Sequence, residues 1–161
     1  MTSKEDLARA VLDACAARGI MLATAESCTG GMIVAALTDI AGSSAVVDRG
    51  FVTYSNAAKM EMLGVANATL DTYGAVSRET AGEMADGALA RSRAGIAVSV
   101  TGIAGPGGGS ADKPVGLVWF GLAVAGRPTA TERRVFEDNG RGFIREQTVL
   151  HALGMVLKAL G

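Results

Sequence analysis

The sequence predicts an α/β fold: a three-layer α/β/α single domain over residues 1–161 with a mixed sheet. Three observations predict it. Helical periodicity alternates with short apolar runs as far as residue 100, the pattern of strand–helix units that cover a sheet on both faces. Two alternating stretches, 115–125 and 129–136, then flank the turn Gly126-Arg-Pro128, so the sheet closes with a C-terminal antiparallel hairpin. A chain of 161 residues with 49% apolar content is long enough to bury a core without disulfide or metal staples.

The elements follow in order. Ser3 caps a first helix, with Asp6 three residues on in a capping-box arrangement, Leu7, Val11, Leu12 and Cys15 as its apolar stripe and Gly19 as its stop. A buried strand at about 20–25 leads into a helix at about 29–38 carrying Met32, Ile33, Ala36 and Leu37. Ala41-Gly-Ser-Ser44 is a turn. Val46, Val47, Phe51 and Val52 build the next strand, with a kink at Gly50. A short helix capped by Asn56 includes Lys59, Met60 and Leu63 and stops at Gly64. Another short helix and turn occupy 67–74. Ser77 caps a long helix to about Arg93, and Ile96-Ala-Val-Ser-Val100 is a compact apolar strand. A glycine-rich loop, 101–113, precedes the hairpin. Asp138-Asn-Gly140 turns into a last helix to about Leu160.

Composition narrows the function classes. The net charge is −1, so there is no cationic surplus to neutralise a phosphate backbone, and a nucleic-acid partner is not expected. The two cysteines, Cys15 and Cys28, make neither a disulfide framework nor a zinc site, and free thiols fit a reducing compartment. The polar start Met-Thr-Ser-Lys-Glu-Asp has no signal-peptide core, and no apolar run reaches membrane-spanning length. A cytoplasmic protein without a membrane partner is expected. Twenty-two glycines against four Phe, two Tyr and one Trp point to small-residue packing. The single histidine, His151, rules out a multi-histidine metal site and leaves a serine nucleophile short of a conventional base.

The chemistry concentrates at Thr24-Ala-Glu-Ser-Cys-Thr-Gly-Gly31. Ser27 falls where a strand gives way to a helix, beside two glycines that permit close backbone approach and helix N–H groups without internal partners. Such a site activates a nucleophile with ready oxyanion donors, holds an anion such as a phosphate, or simply caps the helix. Cys28, at the same place, is a rival nucleophile because a helix N-terminus favours thiolate. Thr101-Gly-Ile-Ala-Gly-Pro-Gly-Gly-Gly109 follows a buried strand at its C-terminal end. It matches neither a P-loop nor a dinucleotide fingerprint, and reads as a phosphate-contacting loop or a flexible surface loop. In Thr53-Tyr-Ser-Asn56 with Lys59, the lysine sits on the first turn of a helix and is either solvated or turned back over the strand end, where burial makes an amine a base. Tyr54 is a proton relay or an interfacial aromatic. Arg141 and Arg145 share a helix face and form an anion clamp or a solvated pair.

Six ordered stretches together resemble the CinA C-terminal domain family: Ala25-Glu-Ser-Cys-Thr-Gly-Gly31, Asp39-Ile-Ala-Gly-Ser-Ser44, Gly50-Phe-Val-Thr-Tyr-Ser-Asn56 with Lys59, Gly74-Ala-Val-Ser77, Gly102-Ile-Ala-Gly-Pro106 and Lys113-Pro-Val-Gly116. The resemblance spans nearly the whole chain. It implies an α/β/α domain that hydrolyses the carboxamide of nicotinamide mononucleotide to nicotinate mononucleotide and ammonia, with no metal or other cofactor. It implies Ser27 as nucleophile, Lys59 as general base and Tyr54 as helper. Thr29, Gly30 and Gly31, the loop residues Thr101, Gly102 and Gly105, and Arg141 and Arg145 are then the substrate-binding positions. Many members carry a further N-terminal domain linked to ADP-ribose hydrolysis, and this chain looks like the free-standing type. The family's Phe-x-Gly-x-Arg pattern before the last helix is one residue longer here, Phe136-Glu-Asp-Asn-Gly-Arg141. A homo-oligomer is expected, because small α/β domains commonly share apolar surface. A nucleotide-sensing module without turnover is the non-enzyme alternative.

Overall fold

The computed structural model describes residues 2–161. Eleven elements run in the order α1 (Lys4–Arg18), β1 (Leu22–Glu26), α2 (Met32–Thr38), β2 (Val47–Val52), α3 (Asn56–Leu63), α4 (Asn67–Tyr73), α5 (Arg78–Ala90), β3 (Ile96–Gly102), β4 (Leu117–Val124), β5 (Ala130–Val135) and α6 (Arg141–Leu160). A short 3-10 turn at Ser43–Ala45 precedes β2. The sheet order is β2-β1-β3-β4-β5. β1 runs parallel to both β2 and β3, and the β3–β4 and β4–β5 pairs are antiparallel, so the expected mixed sheet with a C-terminal hairpin is present. No helix among the described residues is long and apolar enough to cross a membrane.

Side-chain size divides the two faces. Leu22, Ile96, Val98, Val100, Val118, Phe120 and Leu122 meet α1, α2 and α6 in the larger core. The alternate residues Ala23, Ala25 and Ala97 face α3, α4 and α5, joined by Leu63, Leu70, Met84 and Ala88. Small residues let α5 lie close on this face. A Cβ on Gly121 would stand 2.4 Å from the Ala81 carbonyl oxygen, and one on Gly87 would overlap the Leu63 carbonyl oxygen at 1.9 Å. Gly87 therefore sets the approach of α3, which carries Lys59, to α5.

Local signals place most boundaries. Ser3 accepts from the Asp6 amide, and Gly19 closes α1 at φ 65°. Ser77 caps α5 through the Thr80 amide. Three expectations need correction. The cap of α3 is Ser55, whose hydroxyl accepts from the Ala58 amide, so Asn56 is the first helical residue. α2 begins at Met32 rather than 29, because Gly30 (φ 58°) and Gly31 (φ 107°) are left-handed and cannot continue a helix. α5 ends at Ala90, short of Arg93.

Candidate active site

The chain runs from β1 to β2 on one side and returns to β3 on the other, so the sheet has its switch point between β1 and β3. Ligands of open α/β sheets lie at such a point, outside the strand C-termini. Ser27 is seated there: its amide donates to Val100 of β3 at 3.1 Å, and the following residues turn away into α2. β2 ends alongside, where Thr53 N donates to the Glu26 carbonyl at 2.8 Å. The Ser55 cap then swings the chain into α3, which returns Lys59 over the strand ends.

Lys59 is only 1% exposed. Its Nζ lies 2.9 Å from Ser27 Oγ, 2.9 Å from the Thr53 carbonyl oxygen and 3.5 Å from that of Tyr54. The two carbonyls take the two N–H bonds of a neutral amine, which leaves its lone pair for the serine hydroxyl. Removal from water lowers the lysine from its ordinary 10.5 to about 8. The buried carboxylate of Glu26 forms no ion pair with this amine and is engaged elsewhere. Its Oε1 accepts from Thr29 Oγ1 (2.5 Å) and Ile33 N (2.9 Å), and its Oε2 accepts from Val34 N (3.0 Å). Glu26 thus supplies the cap that Gly31, without a side chain, leaves missing from α2.

A cleft of about 290 Å³ opens over this pair. It is lined by Ser27, Cys28, Tyr54, Asn56 and Lys59 on one side and by Ala75, Val76, Thr101, Gly102, Ala104 and Arg141 on the other. Tyr54 is mostly exposed at the rim, and its hydroxyl accepts from Arg141 Nη2 at 3.1 Å. Arg141 Nη1 donates to the Gly105 carbonyl at 2.8 Å, which ties α6 to the glycine-rich loop. Thr101 donates its hydroxyl to the Ala75 carbonyl at 2.8 Å. A Cβ on Gly102 would stand 2.6 Å from Val118 Cγ2, so β3 and β4 can approach only with glycine there.

Of the other residues singled out by the sequence, Cys28 lines the cleft and the rest lie off it. Thr29 is fully buried with its hydroxyl on Glu26, and Gly30 and Gly31 form the turn. Arg145 does not line the cleft. Its Nε donates to the Cys28 carbonyl at 3.0 Å and its Nη2 to the Thr29 carbonyl at 3.2 Å. The Cys28 thiol does not gain thiolate character: it precedes the first helical residue by four positions, and burial pushes it up to about 11. His151 lines a different groove, between β5 and α6. There it packs on Phe120 with ring centroids 4.5 Å apart and pairs with Glu132 at 3.0 Å, and it has no part in the Ser27 cleft. The sequence reading missed the carbonyls of Thr53 and Tyr54 as partners of Lys59, and Glu26 as a helix cap. A cap-less Gly-Gly helix start with one carboxylate just upstream was the signal for the latter.

The family model of the CinA C-terminal domain matches residues 4–160. Among curated relatives, the nicotinamide-nucleotide amidohydrolase PncC of Enterobacter agglomerans is 54% identical over 142 residues, 88% of this chain and 86% of that protein. PncC of Escherichia coli K12 is 52% identical over 155 residues, 95% of this chain and 93% of that protein. A crystal structure of the competence/damage inducible protein CihA from Agrobacterium tumefaciens superposes with a TM-score of 0.95 at 57% identity, covering 99% of this chain and 98% of the other. The motifs, the sheet order and these matches agree, and the chain belongs to the CinA C-terminal domain family.

Proposed function

We propose that this protein is a nicotinamide-nucleotide amidohydrolase, which converts nicotinamide mononucleotide and water to nicotinate mononucleotide and ammonia. The observation that carries the chemistry is the 2.9 Å contact between Lys59 Nζ, a buried amine without a carboxylate partner among the described residues, and Ser27 Oγ. The substrate is supported by the names of the PncC relatives, which match this chain over most of both lengths.

In this reading neutral Lys59 takes the Ser27 proton as Oγ bonds to the carboxamide carbon. The oxyanion rests on backbone N–H groups after Ser27 or in the glycine loop. The protonated Lys59 returns its proton to the departing nitrogen, the C–N bond breaks and ammonia leaves. Water then gives a proton to Lys59 and attacks the acyl carbon, and the serine oxygen departs with that proton. Tyr54 and Arg141, joined at the rim, assist at the leaving group and the nucleotide phosphate, with Thr101 and Gly102 lining the same cleft and Gly105 holding Arg141 through its carbonyl. The test is ammonia release from nicotinamide mononucleotide compared with free nicotinamide, for wild type and Ser27→Ala. Release by wild type and loss of at least about 10³-fold in Ser27→Ala is the expected result. Wild-type rates in Ser27→Ala would refute the nucleophile, and nucleotide binding with no ammonia would favour a sensing module.

A further inference from the structure

Five side chains of the Ser27 cleft carry nitrogen or hydroxyl oxygen besides Asn56, and each is engaged: Ser27 with Lys59, Tyr54 with Arg141, and Thr101 with the Ala75 carbonyl. The Asn56 side chain makes no hydrogen bond among the described residues. Nor does it cap α3, because the Ser55 hydroxyl does so through the Ala58 amide. It is exposed in the cleft wall, with two N–H donors and a carbonyl acceptor to offer. Asn56 is the first residue of α3, three before Lys59, and residues three apart share a helix face with Cβ atoms about 5–6 Å apart. Long helical side chains run back over the turn that precedes them. Lys59 does so: its Nζ reaches the carbonyls of Thr53 and Tyr54, which lie before the helix begins. The amine therefore ends beside the first turn of α3, where Asn56 stands. In the reaction above, Lys59 returns its proton to the departing nitrogen, so that nitrogen comes to the α3 side of the cleft. On that side the Thr53 and Tyr54 carbonyls are engaged by Lys59 and the Tyr54 hydroxyl by Arg141, which leaves Asn56 Oδ1 as the free side-chain acceptor.

We propose that Asn56 is a specificity-determining residue for the carboxamide: its Oδ1 accepts an N–H of the substrate's –NH2 group and holds that nitrogen beside Lys59 Nζ. This rests on the amidohydrolase reading above. The contact separates a primary amide, which has an N–H to give, from an ester, which has none. A site built to hold an N–H loses binding with a substrate that lacks one, because its own polar atom is then left unpaired.

The experiment follows formation of nicotinate mononucleotide from nicotinamide mononucleotide and from the methyl ester of nicotinate mononucleotide, in wild type, Asn56→Leu and Asn56→Asp. Leucine has nearly the same size and no acceptor. The proposal expects about a tenfold loss of kcat/KM for the amide in Asn56→Leu, the worth of one hydrogen bond, with ester turnover within about twofold of wild type. Asn56→Asp keeps an oxygen acceptor and sets an anion near Lys59. Its alkaline rise in rate therefore moves to higher pH, and above that rise its amide turnover returns to within about threefold of wild type. The other titratable groups of the cleft, Cys28, Tyr54 and Arg141, are common to all three proteins. Wild-type kcat/KM for the amide in Asn56→Leu would overturn the proposal. So would an equal fold-loss on amide and ester, which marks general damage to the cleft. An alkaline rise that stays in place in Asn56→Asp would overturn it too, since a side chain that touches the departing nitrogen lies close to the amine. A wild-type enzyme that forms no nicotinate mononucleotide from the amide would overturn the underlying amidohydrolase reading instead, and the inference with it.

Discussion

Lys59→Met tests the buried amine through stability rather than activity. The fall from 10.5 to about 8 means that, near neutral pH, folding must strip or bury a proton at a cost of roughly 3 kcal/mol. The unfolded chain binds more protons than the folded one between those two values, so wild-type stability rises with pH across that window. Below about 8 the penalty is fully present, and above about 10.5 it is gone. Methionine has similar length and no charge, so it removes the penalty. It also deprives the Thr53 carbonyl of its 2.9 Å donor, a loss of about 1 kcal/mol. The net expectation is a gain of about 2 kcal/mol at pH 7, or about 4–8 °C in Tm for a chain of this size. At pH 10.5 the order reverses, with the variant about 1 kcal/mol less stable than wild type. Urea unfolding of both proteins at pH 7, 9 and 10.5 measures this directly, since all other titrations are common to the pair. A variant no more stable than wild type at pH 7, or a difference that does not change with pH, would refute the desolvated amine and with it the base assigned to the reaction.

The remaining expectations concern rate, thiol and packing. On the proposed mechanism kcat/KM rises with pH through about 8 and then levels, since that mechanism needs Lys59 unprotonated to accept the serine proton; a profile flat from pH 6 to 10 would contradict this. Cys28→Ala keeps ammonia release within about threefold of wild type, and iodoacetamide at pH 7 leaves activity intact, because a thiol near 11 is almost entirely protonated there. Gly87→Ala drives a methyl group into the Leu63 carbonyl oxygen, so α3 must retreat from α5. It should cost about 1–3 kcal/mol in urea unfolding and also lower kcat, since α3 carries Lys59.

Much of the fold was legible because its signals are local. Ser3, Ser77, Gly19 and Gly64 act within one helical turn of the residues they stop or start, and their neighbours suffice to read them. The hairpin follows from alternation around a turn. The boundaries that were misplaced involve competition between two local candidates, as between Ser55 and Asn56 for one cap, or a backbone conformation that only the turn reveals, as at Gly30 and Gly31. In the site, Ser27 stood out by its position at the end of a strand, but Lys59 did not separate from a solvated lysine until burial was known. Arg141 and Arg145 were indistinguishable on one helix face. The structure separates them, the first on the cleft and the second on the loop carbonyls.

The sequence alone determined which residues make helices and strands, that the sheet is mixed, and that a hydroxyl sits at a strand-to-helix turn with no histidine suited to serve it. Periodicity, capping and residue counts are properties of the chain before it folds. Only the tertiary structure decided that an amine 32 residues away is brought within 2.9 Å of that hydroxyl and sealed from water. The parallel pairing of β1 with β2 and the close seat of α3 on α5 create both the distance and the dry surroundings. Burial changes the free energy of a charge, and no residue carries that change until its neighbours have closed around it.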